Sequence, residues 1–124
     1  MLKPVTKSAF LDLSKASINV RNYQVYASAD LMERLGMPDT VVLYLDRDEN
    51  ELGIANGDNI EDDGETIFAK TSIKTKGGGS GRRLINFPPF IKDRLDEIPT
   101  FATRSEKVGG RDVIVFSLLP PLED

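Results

Sequence analysis

The chain has no cysteine and no histidine among its 124 residues. The first absence excludes disulfides and thiolate metal sites; the second removes the commonest metal ligand and the usual general base at neutral pH. Long apolar runs are also missing. Nothing approaches the roughly 18 residues of a membrane-spanning helix, and the N-terminus has no apolar signal region. A cytoplasmic protein without membrane attachment is therefore expected. Nucleotide-binding signatures are absent too. Gly77-Gly78-Gly79-Ser80-Gly81 lacks the Gly-Lys-Ser/Thr ending of a phosphate loop, and Arg82-Arg83 open a strand where that loop would open a helix. Serine, threonine and lysine nucleophiles have no histidine or cysteine beside them, and the carboxylates lie in polar loops where nothing would raise a pKa. Asp46-Arg47-Asp48-Glu49-Asn50-Glu51 starts like a calcium loop, but Glu51 stands where the turn glycine belongs and Gly57 where the bidentate carboxylate belongs. The expectation is a non-enzymatic protein with no cofactor and no metal.

What is present is a pattern written twice, 60 positions apart. Residues 25–35 followed by 40–45 read as strand, short helix and hairpin, and residues 85–95 followed by 100–104 repeat the order. Arg34 matches Arg94, Leu35 matches Leu95 and Thr40 matches Thr100. One copy cannot close a core, whereas two can wrap around one. At this length, 40% hydrophobic and 29% charged, a single domain over residues 1–124 with a modest core is expected. Repeat 1 spans about residues 17–54 and repeat 2 about 82–118, with an acidic loop at 55–65 and a strand plus glycine-rich loop at 66–81 between them.

Local signals support that division. Residues 17–26 alternate as a strand until Tyr23 changes the phase, which predicts a bulge or turn near Arg21-Asn22. Ser28 stands where a helix N-cap is wanted, Leu31, Met32 and Leu35 share one face, and Gly36 and Pro38 end the helix. In the hairpin that follows, Val41, Leu43 and Leu45 face one way and Val42 and Tyr44 the other, before the chain returns through Leu52 and Ile54. Pro88-Pro89 open the second helix. The second hairpin turns at Val108-Gly109-Gly110, and Pro120-Pro121 end the fold. Val25, Leu31, Leu35 and Leu43 are expected to be buried with Ile85, Ile91, Leu95 and Phe101. Residues 77–81, four glycines in five, are expected to be mobile.

Net charge is −4, yet the charges are segregated. Residues 46–65 hold nine acids against Arg47, and residues 70–94 hold seven bases against Asp93. Folded onto different faces, these segments would produce a polar field. The bases Lys70, Lys74, Lys76, Arg82, Arg83, Lys92 and Arg94 are the candidate contacts for nucleic acid, with duplex DNA as the expected partner. Arg82 and Arg83 lead, because a guanidinium suits phosphate and guanine edges. Phe68, Phe87 and Phe90, the aromatics nearby, are read as core. The alternative partner is a basic protein met by Asp46, Asp48, Glu49, Glu51, Glu61, Asp62 and Asp63.

The order strand, short helix, hairpin resembles the AbrB-type swapped-hairpin domain. The closest local match is the run from Gly81-Arg82-Arg83 through Ile85, Pro88-Pro89 and Lys92 to Leu95. The first copy carries Tyr23-Gln24 where the family has Gly-Arg. The resemblance implies a β-rich α+β fold, a small closed barrel made from two β-α-β-β repeats, in tandem as in the MraZ-like branch. It also implies a DNA-binding transcription regulator, which in that family is often a homodimer. The chain is similar as well to small proteins carried by phages and mobile elements.

Overall fold

The computed structural model describes residues 15–61, 64, 66–73 and 83–119. Among them the chain forms a curled nine-stranded antiparallel half-barrel with two short helices. The first part comprises β1 (Ser17–Arg21), β2 (Gln24–Ala27), α1 (Ala29–Leu35), β3 (Thr40–Asp46) and β4 (Glu51–Asn56). The second comprises β5 (Ile67–Ile73), β6 (Arg83–Ile85), α2 (Pro89–Lys92), β7 (Thr100–Phe101), β8 (Arg104–Val108) and β9 (Arg111–Ser117). Strand order across the sheet is β7-β1-β2-β6-β5-β3-β4-β9-β8.

The local signals act as their chemistry dictates. Ser28 Oγ accepts from the Leu31 amide at 3.2 Å and from the Ser17 amide at 3.0 Å, so one hydroxyl caps α1 and fixes the start of β1. Gly36 ends α1 at φ +87°, and Asn56 Nδ2 donates to the last-turn carbonyl of Leu35 at 2.9 Å. Pro89 takes the first helical position of α2. Gly57 permits a close approach that no side chain would: its N–H donates to Thr40 O at 2.8 Å, and an added Cβ would lie 2.9 Å from the Val41 carbonyl carbon. Beyond it, the Asp58 carboxylate accepts from the amides of Asp39 and Thr40 and closes the mouth of the β3–β4 hairpin.

Three strand pairs, β1·β7, β2·β6 and β4·β9, join the sequence copies. In β2·β6 Val25 lies opposite Ile85, and in β4·β9 Ile54 lies opposite Ile114; both pairs join residues 60 apart. All four side chains are buried in one cluster that also holds Leu31, Met32, Leu35, Leu43, Phe87, Ile91 and Leu95. The expected buried set is thus met at seven of its eight positions. Phe101 is the exception, 53% exposed. Its strand sets Thr100 opposite the inward Ile18 and Phe101 opposite Ser17. Val41, 60 residues earlier, sits opposite the inward Ala69. A one-residue difference in register exchanges the two faces of a strand, so the phenylalanine points outward. On the outer face of β3, β4 and β9, Val42, Ala55, Val113 and Val115 form a second buried cluster against Tyr44, Ile60 and Phe68.

The copies differ in their hairpins. β3 and β4 are joined by four residues, 47–50, whereas β8 and β9 are joined by Gly109-Gly110 alone. Residues 1–14, the glycine-rich run 77–81 and Pro120-Pro121 lie outside the described residues.

Candidate nucleic-acid interface

The site begins at the β1–β2 turn. Arg21 pairs with Gln24, which leaves only Asn22 and Tyr23 to reverse the chain. Both have positive φ, +54° and +62°, the pattern of a type I′ turn. Asparagine suits the first position; glycine is the usual occupant of the second. A tyrosine in the left-handed region costs about 1–2 kcal/mol. The turn nevertheless presents the Tyr23 side chain almost entirely to solvent, 88% exposed. Its carbonyl oxygen accepts from Lys92 Nζ at 3.0 Å, which ties the turn to α2.

Beside this turn, a groove of about 500 Å³ crosses the outer face of β2, β6 and β5. Strand alternation selects what lines it. Val25 and Ile85 point to the core, so Gln24, Leu84 and Asn86 point out. On β5, Ala69 points in while Lys70 and Ser72 are exposed. Tyr23 and Lys92 close one end. The lining thus offers an aromatic ring, two ammonium groups and the polar tips of Gln24, Ser72 and Asn86, with no carboxylate among its described residues. In a chain of net charge −4 this is a local excess of positive charge.

The seven expected cations are not one surface. Lys70 and Lys92 share the groove, and Lys70 has no ion pair among the described residues. Arg83 does not face solvent. It is 7% exposed, and its guanidinium donates to Pro38 O at 2.7 Å and to Thr71 Oγ1 at 3.3 Å. Arg83 lies two residues before the inward Ile85, and the same parity turns it inward; there it pins the α1–β3 loop to β6. Its expected role as a leading phosphate contact is thereby corrected. Arg94 holds the C-terminal segment, donating from Nε to Leu119 O at 3.0 Å and from its terminal nitrogen to Asn50 Oδ1. It opens on a different groove, beside Arg47 and Phe90. Lys74, Lys76 and Arg82 lie outside the described residues. Of the phenylalanines read as core, Phe87 is buried and Phe68 packs on the outer cluster, but Phe90 is 48% exposed.

The acidic candidates are partly consumed by structure. Asp46 Oδ1 accepts from the amides of Asp48 and Glu49 and so shapes the hairpin turn. Glu51 takes a two-pronged ion pair from Arg104, whose hydrogen bonds hold its carboxyl below the usual carboxylate range. Glu106 adds a second carboxylate to Arg104 at 3.4 Å, and Lys107 pairs with Asp112 at 3.1 Å. Asp48, Glu49 and Glu61 are exposed, while Asp62 and Asp63 lie outside the described residues. No cluster of carboxylates able to hold a metal occurs among the described residues. Nor is any described helix long and apolar enough to cross a membrane.

Sequence reasoning missed Tyr23, Gln24, Ser72 and Asn86. The interruption of alternation at Tyr23 was a turn signal, and an aromatic at the second residue of a two-residue turn was the signal for more. No family model, curated protein or solved structure matches the chain.

Proposed function

We propose that the groove over β2, β6 and β5 binds nucleic acid through its phosphates, that the protein acts as a non-enzymatic DNA-binding regulator, and that the half-barrel belongs to a closed two-repeat barrel of the AbrB-like kind. The observation that carries the functional reading is a groove whose described lining holds Lys70 and Lys92 and no carboxylate, in a protein with an excess of acids. Ammonium groups placed along such a groove release counterions as they meet phosphates. The segment joining β5 to β6 carries Lys74, Lys76 and Arg82 in its sequence, so further cations enter the chain between two of the three strands that form the groove. The acidic face offers less to a basic protein partner, because Glu51 is neutralised by Arg104 and Asp46 is spent on its turn.

Closure of the barrel is supported by the two ends of the sheet. β7 and β8 are separated only by Ala102 and Thr103, whose amides donate to Ala16 O at 2.9 Å and Val115 O at 2.8 Å. One interrupted strand would then bridge β1 and β9, and the Val25–Ile85 and Ile54–Ile114 pairs would lie on a pseudo-twofold axis.

The test is fluorescence anisotropy with single-stranded and duplex oligonucleotides at two salt concentrations. Binding should weaken steeply as salt rises, with a slope of about −0.7 to −0.9 per phosphate contact. The double change Lys70→Glu with Lys92→Glu should abolish it while the thermal melt still shows a folded protein. If the wild-type chain binds no DNA or RNA at low salt, the functional reading is wrong.

A further inference from the structure

Resting on the reading of this groove as a phosphate-binding site, we infer that its ligand is an unpaired strand, and that Tyr23 is the platform on which one base stacks. Three observations converge on this. The ring is displayed at the tip of a two-residue turn, 88% exposed, in a backbone conformation that glycine would adopt without strain. The turn has a side-chain anchor, because Lys92 Nζ holds the Tyr23 carbonyl at 3.0 Å and so fixes where the ring stands. The ring, Lys70 and Lys92 line one groove, whose polar tips are those of Gln24, Ser72 and Asn86.

This arrangement offers what a single strand presents and a duplex hides. Every base has a π-face that stacks on an aromatic ring without regard to sequence, and the cations beside it take the flanking phosphates. An amide group such as that of Asn86 can both donate to and accept from the exposed edge of an unpaired base. In a duplex that π-face is already stacked on its neighbours, and Tyr23 would meet only the outside of the double helix.

The experiment uses the full chain, a fluorescein-labelled oligothymidine of about a dozen nucleotides, and a mixed-sequence duplex of equal length. Oligothymidine should bind more tightly than the duplex. Tyr23→Gly should weaken oligothymidine binding about tenfold, the scale of one lost stacking contact, and change duplex binding by less than about twofold. Tyr23→Phe should retain the affinity, since the ring does the stacking. Tyr23→Gly should melt at a higher temperature than the wild type, which separates loss of binding from loss of fold. If the duplex is preferred, or Tyr23→Gly leaves oligothymidine binding intact while Lys70→Glu with Lys92→Glu removes it, the stacking inference fails and the phosphate-binding reading stands. If neither nucleic acid binds, both fall.

Discussion

The turns Asn22-Tyr23 and Gly109-Gly110 reverse the chain with the same two residues of positive φ, and fill them in opposite ways. At β8–β9 both positions are glycine, with φ +58° and +84°, and an added Cβ on either would meet nothing within 4 Å. At β1–β2 the second position holds a tyrosine at φ +62°. The glycine turn shows that this fold has an unstrained solution for a tight hairpin. The tyrosine turn departs from it and gains no burial in return. Strain kept at a position with a solvent-facing ring points to a use of the ring outside folding.

The comparison can be broken at several depths. The heaviest test is the support beneath the groove. Ile85→Ala, which removes a buried side chain facing Val25, should cost about 2–5 kcal/mol in urea or thermal unfolding. A smaller loss would mean that β2·β6 is not the joint that holds the groove in place. Next comes the transplant. Gly110→Tyr, placed in open space, should cost about 1–2 kcal/mol, and Tyr23→Gly should return a similar or slightly smaller amount. Equal and opposite effects would make the strain a property of the backbone alone. The smallest effect separates this face from the neutralised one. The Glu51 carboxyl titrates below its usual value because Arg104 bonds the charged form. Its stabilising contribution is therefore present above the unfolded-state pKa and is lost as pH falls through the lower folded-state value. Glu51→Gln should flatten the acid limb of stability below about pH 4.3, the ordinary glutamate value, and leave neutral-pH nucleic-acid binding unchanged.

Much of the architecture was legible because its signals are local. The Ser28 cap, the Gly36 stop, the phase of β3 and the 60-residue offset each depend on residues a few positions apart or on a simple period. The outward facing of Phe101 was not legible because it depends on the register between β7 and β1, where Phe101 pairs with Ser17, 84 positions earlier. The inward facing of Arg83 was legible, since it shares the period-two parity of Ile85 on β6. The groove could not have been assembled from the sequence. Tyr23, Lys70 and Leu84 become neighbours only through the order β2-β6-β5, and no motif links them. Glu51 looked available because Arg104, which neutralises it, is 53 positions away.

The pairing of residues 60 positions apart also sets a clock. The β3–β4 and β8–β9 hairpins close over a few residues, so each can form early from its own stretch of chain. The joints β2·β6, β4·β9 and β1·β7 must wait until distant segments meet, and the entropy of closing those loops is lost before any contact between the copies repays it. Refolding should accordingly be slow for the protein's size, in milliseconds to seconds. Until it is complete, the hairpins carry unpaired strand edges, so the concentration of refolding chains decides whether those edges find each other within one molecule or between two.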